Sequence, residues 1–382
     1  MATSLLDRAH PGIRALHPYQ PGKPMEELQR ELGIDSIIKL ASNENPLGAG
    51  PLACEAARES ILDTARYPDG SGFRLKKGLS EYCEWPTEGI TLGNGSNEIL
   101  ELVTRVFLGP GRNAVYSQFA FAVYPLVTQA VGAEGREVPA LQDNHSDMPL
   151  GHDLSAMADA VDDDTAILFV ANPNNPTGTW VQPDEIAALL VRVPSNVLVV
   201  LDEAYREYLQ PKLRPDYRAL LQQHPNLVVT RTFSKVHGLA ALRVGYGLSS
   251  PAVADLLNRA RQPFNNNAVA LAAAEAALRD SNHVAESVAM NEQGMRFLQK
   301  GLAELGLRCL PSQANFLTFD LGQPSTPVYN AMLQQGVILR PMASYAMPSW
   351  LRVTIGAEPE NRRCLQVLKS VLADGMHLPD SQ

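Results

Sequence analysis

The chain has 382 residues, more than one average domain, so one large and one smaller domain are expected. Hydrophobic residues make up 45% and charged residues 19%, which suits a globular protein able to bury a sizeable core. Its 32 Lys and Arg against 41 Asp and Glu give a net charge of −9 with no basic block, which argues against nucleic acid as a partner, since a phosphate backbone demands the opposite sign. The longest apolar runs, AILFVA at 166–171 and VLVVL at 197–201, are strand-sized and far short of a membrane span, so no membrane association is expected. Cys54, Cys83, Cys309 and Cys364 show no C-x-x-C spacing, so neither a zinc site nor a disulfide framework is indicated. They read as reduced thiols of a cytoplasmic protein. The N-terminal MATSLLDRAHPGIRALHPYQPGKP carries charges and prolines where a signal peptide needs an apolar core.

Residues 1–40 mix prolines with one amphipathic segment around Met25–Leu32 and read as an extended arm. From Ile90 a strand-then-helix rhythm begins. GITL leads through GNGSN into the helical EILELVTRVFL, and NAVYS, AILFVAN, NVLVVLDEAY, NLVVTRTFS and RVGYGLS follow as apolar strands. Helical stretches such as Pro183–Val193 separate several of them. This alternation predicts a mainly parallel sheet covered by helices on both faces. After Asn265–Asn267 an alanine-rich helical region runs over 268–305. Strands in RCLPSQANFLTFDL, GVILRPM and WLRVTIG and a final helix over 359–373 then suggest a smaller α+β domain. The expected division is an arm at 1–40, a large domain at 41–265 and a small domain at 266–382.

Polar groups gather at the strand ends, where α/β folds place ligands. ANPNNPTG (171–178) reads most simply as a proline-anchored turn. LDEAY (201–205) ends a strand with two carboxylates, costly there unless partnered. GNGSNE (93–98) opens a helix whose Ser96 and Asn97 are good caps, and such an N-terminus also binds phosphate. TFSKVHGLAALRVGYG (232–247) follows another strand with Ser234, Lys235 and Arg243. Together these supply what a pyridine aldehyde phosphate requires: a lysine for a Schiff base, an acid for the ring nitrogen, donors for the phenolic oxygen and a phosphate cup. Asp202 suits the ring nitrogen, Asn175 and Tyr205 the phenolic oxygen, and Ser96, Asn97, Ser234 and Arg243 the phosphate.

Over nearly its whole length the chain resembles the fold-type-I, pyridoxal-phosphate-dependent aminotransferases of class I/II, and among them the histidinol-phosphate aminotransferases. The resemblance is carried by ASNENPLG (41–48), RYPDGSG (66–72), GNGSNEIL (93–100), NPNNPTG (172–178), LDEAY, TFSKVHGLAALRVGYG, QANFL (313–317) and LRVTIG (351–356). It implies a seven-stranded, mainly parallel sheet in the large domain and pyridoxal 5'-phosphate as cofactor. It implies Lys235 as the lysine bonded to the cofactor, Asp202 as partner of the ring nitrogen, and Asn175 and Tyr205 beside the phenolic oxygen. Lys235, Asp202 and Tyr205 are the expected catalytic residues. Tyr67 is expected to reach the cofactor phosphate of a neighbouring subunit, which makes the active form a homodimer. Tyr19, Asn43, Arg340 and Arg352 are the expected substrate-binding residues. The implied reaction interconverts L-histidinol phosphate and imidazole-acetol phosphate, with 2-oxoglutarate and glutamate as the other pair.

The chain departs from the family pattern in places. SQFAFAVY (117–124) offers Phe121 at the ring-stacking position where many members have tyrosine, and His237 and Ala241 stand where an aromatic residue and glycine are common. His237 reads as a packed or capping residue. Neither metal nor cysteine chemistry finds support. An aromatic amino-acid aminotransferase and a phosphothreonine decarboxylase remain alternatives on the same motifs. A cofactor-sensing transcription regulator would need a basic winged-helix segment ahead of NENPLG, and the forty or so residues there are too few. No G-x-G-x-x-G follows the first strand, which excludes a dinucleotide-binding domain.

Overall fold

The computed structural model describes residues 5–18, 22–34 and 36–375. A two-residue strand, β1 (Ile38–Lys39), precedes the large sheet. That sheet comprises β2 (Ile90–Gly93), β3 (Asn113–Ser117), β4 (Glu134–Val138), β5 (Thr165–Ala171), β6 (Leu198–Asp202), β7 (Leu227–Thr232) and β8 (Gly245–Ser249). Its order is β2-β8-β7-β6-β5-β3-β4. All neighbours pair in parallel except at β8, which runs antiparallel to both β2 and β7. The expected seven-stranded, mainly parallel sheet is therefore present.

β5 reads TAILFVA and is buried along its whole length, as a central parallel strand covered on both faces must be. Its side chains alternate: Leu168 and Val170 join the apolar cluster on one face, Ile167 and Phe169 the cluster on the other. β4, EGREV, lies at the edge and is exposed or half-exposed except at Val138. Sequence reading passed over it because charges and a glycine mask a strand, yet charge on an edge also discourages pairing with other chains.

The remaining strands are β9 (Arg308–Cys309), β10 (Phe316–Asp320), β11 (Val337–Ile338), β12 (Arg340–Pro341) and β13 (Trp350–Thr354). β12-β13-β10-β9 form an antiparallel sheet, and β11 pairs in parallel with β1. Leu40, at the end of the supposed arm, is buried with Leu317, Val353 and Leu368 in the apolar cluster of this C-terminal unit.

The apolar clusters divide the chain differently from the expected boundary at 265. The 268–305 region is two helices, Ala268–Ala277 and Ser281–Glu304, parted at Asp280, whose carboxylate accepts the His283 N–H and caps the second. Ala270, Ala273, Ala274 and Ala277 of the first helix lie on one stripe and pack with Ala53, Leu75 and Leu79 in the large-sheet core. Small side chains there let the helix approach closely, so packing partner overrides sequence position.

Strand alternation also resolves the LDEAY carboxylates. Asp202 turns to one side of the sheet end, and Glu203 turns to the other, where Oε2 accepts from Arg231 Nε at 2.9 Å and Nη2 at 2.7 Å. The two side chains are 1% and 4% exposed, and the Tyr217 ring lies 4.1 Å from the Arg231 guanidinium. This buried pair ties the end of β6 to β7. Arg231→Met should leave the buried Glu203 carboxylate with only Arg206 Nε, 3.3 Å away, as its cationic partner and cost about 3 kcal/mol in urea unfolding. Arg231→Met combined with Glu203→Leu should recover most of that loss.

Candidate active site

The C-terminal ends of β2, β5, β6 and β7 open on one cavity of about 290 Å³. Two glycines position its walls. Gly245 on β8 has no Cβ, and one would lie 2.5 Å from the Ser96 amide nitrogen, so the helix Ser96–Phe107 can start against the sheet. Gly238, at φ +68, meets the Gly48 carbonyl oxygen so closely that a Cβ would lie 1.9 Å from it, which docks the segment after Lys235 onto the 41–48 segment.

Ser96, Asn97, Ser234 and Arg243 line one part of the cavity. Arg243 Nη1 donates to Ser234 Oγ at 3.3 Å, and a Cβ on Gly95 would lie 2.4 Å from Arg243 Nη2. Helix N–H groups, two hydroxyls and a guanidinium thus face one space, a donor set for a phosphate.

Asp202 lines the same cavity. Its Oδ2 accepts from the Tyr124 hydroxyl at 2.9 Å and its Oδ1 from the Thr230 hydroxyl at 3.0 Å. Burial raises its pKa above the ordinary carboxylate value while these hydroxyls pull the other way. Tyr124 is fully buried and stacks on Phe169 at 4.6 Å between ring centroids. Phe121 lines the cavity and meets Tyr124 edge-on at 5.8 Å. Phe121 is the residue expected at the ring-stacking position; the role of Tyr124 shows only in the fold, where its hydroxyl meets Asp202.

In the NPNNPTG turn both readings apply. Asn172 Oδ1 accepts from the Val181 N–H and Asn174 donates to the Phe119 carbonyl, so these two hold the turn. Asn175 instead lines the cavity, where its Oδ1 accepts from Arg352, leaving its amide N–H groups to donate. Tyr205 Oη accepts from Asn43 Nδ2 at 2.9 Å, and burial pushes its pKa up to about 12, so it keeps a proton to donate at neutral pH.

Lys235 Nζ donates to the Ser42 carbonyl at 3.3 Å and lies 5.6 Å from the Tyr205 ring centroid. Burial, then the positive charges of Arg352 and Arg243, push its pKa down to about 8, against the opposing pull of Glu44 and Asp202. Arg340 and Arg352 also line the cavity, and Arg352 Nη2 donates to the Ala41 carbonyl at 2.9 Å. His237 is packed, 4.9 Å from Phe233 between ring centroids, and burial pushes it down to about 4.

Twelve of the sequence-predicted site residues therefore meet in one cavity: Asn43, Ser96, Asn97, Phe121, Asn175, Asp202, Tyr205, Ser234, Lys235, Arg243, Arg340 and Arg352. Tyr67 does not reach it within this chain; it is 84% exposed and stacks on Phe264 at 4.8 Å. Tyr19 lies outside the described residues. No group of three or more His, Cys, Asp or Glu able to hold a metal exists among the described residues.

The family profile described as "Aminotransferase class I and II" matches residues 35–371. The chain belongs to the class I and II aminotransferases. It is 56% identical to histidinol-phosphate aminotransferase 2 of Pseudomonas fluorescens, covering 98% of this chain and 100% of the relative. It is 50% identical to histidinol-phosphate aminotransferase 1 of Nitrosococcus oceani over the same shares. Among solved structures, it superposes with a TM-score of 0.87 and 26% identity on histidinol-phosphate aminotransferase from Sinorhizobium meliloti in complex with pyridoxal-5'-phosphate, covering 96% of this chain and 98% of that one. The expected fold-type-I aminotransferase fold is thus met. The cavity fits that cofactor on its own terms, with an anion cup at one part, a buried carboxylate held by two hydroxyls, and a lysine of lowered basicity between cations.

In the cofactor-free protein, acylation of Lys235 should rise as pH passes through about 8, where the amine loses its proton, instead of near the ordinary 10.5. Quantitative peptide mass spectrometry across pH 6–11 checks this; a midpoint near 10.5 would contradict it.

Proposed function

We infer that this chain is a transaminase that interconverts L-histidinol phosphate and imidazole-acetol phosphate, with 2-oxoglutarate and glutamate as the other pair. The observation that carries the reading is the cleft in which Lys235, Asp202, the Ser234–Arg243 cup and the two arginines Arg340 and Arg352 converge. The 56% identity to a histidinol-phosphate aminotransferase supports the choice of substrate. It favours this reading over an aromatic amino-acid aminotransferase or a phosphothreonine decarboxylase.

Pyridoxal 5'-phosphate, when bound, supplies an aldehyde that takes up the amine and a ring that withdraws electrons. Ser96, Asn97, Ser234 and Arg243 would hold its phosphate, and Phe121 would cover a ring face. Asp202 would keep a proton on the ring nitrogen, with Tyr124 and Thr230 fixing its two oxygens. Asn175 and Tyr205 would donate to the phenolic oxygen. Lys235 would bond to the aldehyde carbon at rest. The amine of Lys235, its basicity lowered by burial, would hold and move the proton at the substrate carbon that bears the amine. Arg352 and Arg340 would take the substrate phosphate or carboxylates, since planar guanidinium forks suit both.

Steady-state turnover of histidinol phosphate, phenylalanine and phosphothreonine tests the assignment. Histidinol phosphate should lead by at least about tenfold in kcat/KM, and its loss on phosphate removal should be of the order expected for charge-assisted hydrogen bonds. Phenylalanine outperforming it would favour the aromatic reading.

A cytoplasmic homodimer completes the proposal. Exposed Tyr67, Phe73, Leu62 and Phe264 support a subunit interface, and four unpaired thiols support a reducing compartment. If Tyr67 serves the opposite site, mixing inactive Lys235→Ala with impaired Tyr67→Phe chains should restore one competent site per heterodimer. Verified subunit exchange without regained activity would argue against a shared site.

A further inference from the structure

We propose that Glu44 is a specificity-determining residue that accepts a hydrogen bond from the imidazole ring of the substrate; this rests on the histidinol-phosphate reading. Two carboxylates line the cleft among the described residues, Asp202 and Glu44. Asp202 has both oxygens bonded to hydroxyls and belongs to the cofactor end, which leaves Glu44 as the carboxylate available to substrate. Glu44 follows Ser42, whose carbonyl accepts from Lys235 Nζ at 3.3 Å, and it pulls on the lysine's charge directly. It therefore stands near the reacting centre.

The wall around it is otherwise cationic, with Arg243, Arg340 and Arg352. A carboxylate there weakens the binding of phosphates and dicarboxylates by like-charge repulsion, so a substrate group that uses it is needed to offset that effect. Lys39 Nζ holds Glu44 Oε1 at 3.2 Å, and among the described residues nothing bonds Oε2. The side chain is 48% exposed to solvent and lines the cleft. Space is present as well, because a second cavity of about 520 Å³ shares Gly22, Ser42 and Glu44 with the first. A substrate centred at Lys235 with its phosphate on the arginines has its other arm free to point toward Glu44. Imidazole carries an N–H in either protonation state, so a carboxylate acceptor serves it throughout, while glutamate offers nothing to match.

The test compares Glu44→Gln with wild type on histidinol phosphate, on an analogue with phenyl in place of imidazole, and on glutamate, all with the cofactor-loaded enzyme. Glu44→Gln should raise KM for histidinol phosphate roughly tenfold, the scale of one charge-assisted hydrogen bond. It should leave the phenyl analogue within about twofold and leave or lower KM for glutamate. Glu44→Asp, with the charge on a shorter arm, should fall between the two. Equal effects on both phosphorylated substrates, or none on either, would overturn the role of Glu44 while the reaction stands. If wild-type protein fails to turn over histidinol phosphate, the functional reading itself falls, and this inference with it.

Discussion

A carboxylate at the end of a central, fully buried strand is stable only where donors meet it, and Asp202 meets two hydroxyls and the Ala204 backbone N–H. The Tyr124 and Thr230 hydroxyls each take one of its oxygens, which offsets part of the desolvation that would otherwise keep it neutral. Thr230 comes from the neighbouring strand β7, and Tyr124 from the helix after β3, so the pairing requires the sheet and its covering helix to be in place. The other cavity walls are organised around the same strand ends. β7 runs on into Ser234 and Lys235, and the connection that leads from there to the antiparallel β8 brings Arg243 to the helix N-terminus at Ser96.

Charge balance in the cleft follows from that geometry. Lys235 is a weaker base than a free lysine because it is buried and flanked by Arg352 and Arg243. Glu203, one residue beyond Asp202, faces away and is neutralised by Arg231, so it does not compete for the cleft cations. The alternation of a strand thus separates a structural ion pair from a chemical carboxylate over a single peptide bond.

The cavity spans both packing units. Asn43 accepts from Thr354 Oγ1 and donates its own N–H to the same hydroxyl, while its carbonyl accepts from Asn315. Its amide then reaches across to Tyr205. Arg352, on β13, bonds both Ala41 and Asn175. Movement of the C-terminal sheet against the large one would therefore act directly on the hydroxyl and amide that line the cleft.

Much of this was legible in the residues alone. Apolar runs such as AILFV and VLVVL, short and bounded by polar and proline-rich punctuation, point to central strands buried on both faces. Lys235, Asp202, Asn175, Ser234 and Arg243 were legible because each follows such a run, where the backbone leaves the sheet and polar groups gather. Other features depended on distant partners. The tie between Tyr124 and Asp202 joins residues 78 apart. The alanine stripe of 268–277 belongs to the large core because it packs on the helices Pro51–Ile61 and Phe73–Cys83. Leu40 joins the C-terminal unit because β1 pairs with β11. Sequence by itself determined the strands, the fold class and the residue types of the site, since these follow from local periodicity and from chemistry carried by single side chains. Tertiary structure alone decided what holds the Asp202 carboxylate in the cleft and what neutralises Glu203 beside it, because burial and hydrogen bonding are set by neighbours that the chain brings together only on folding.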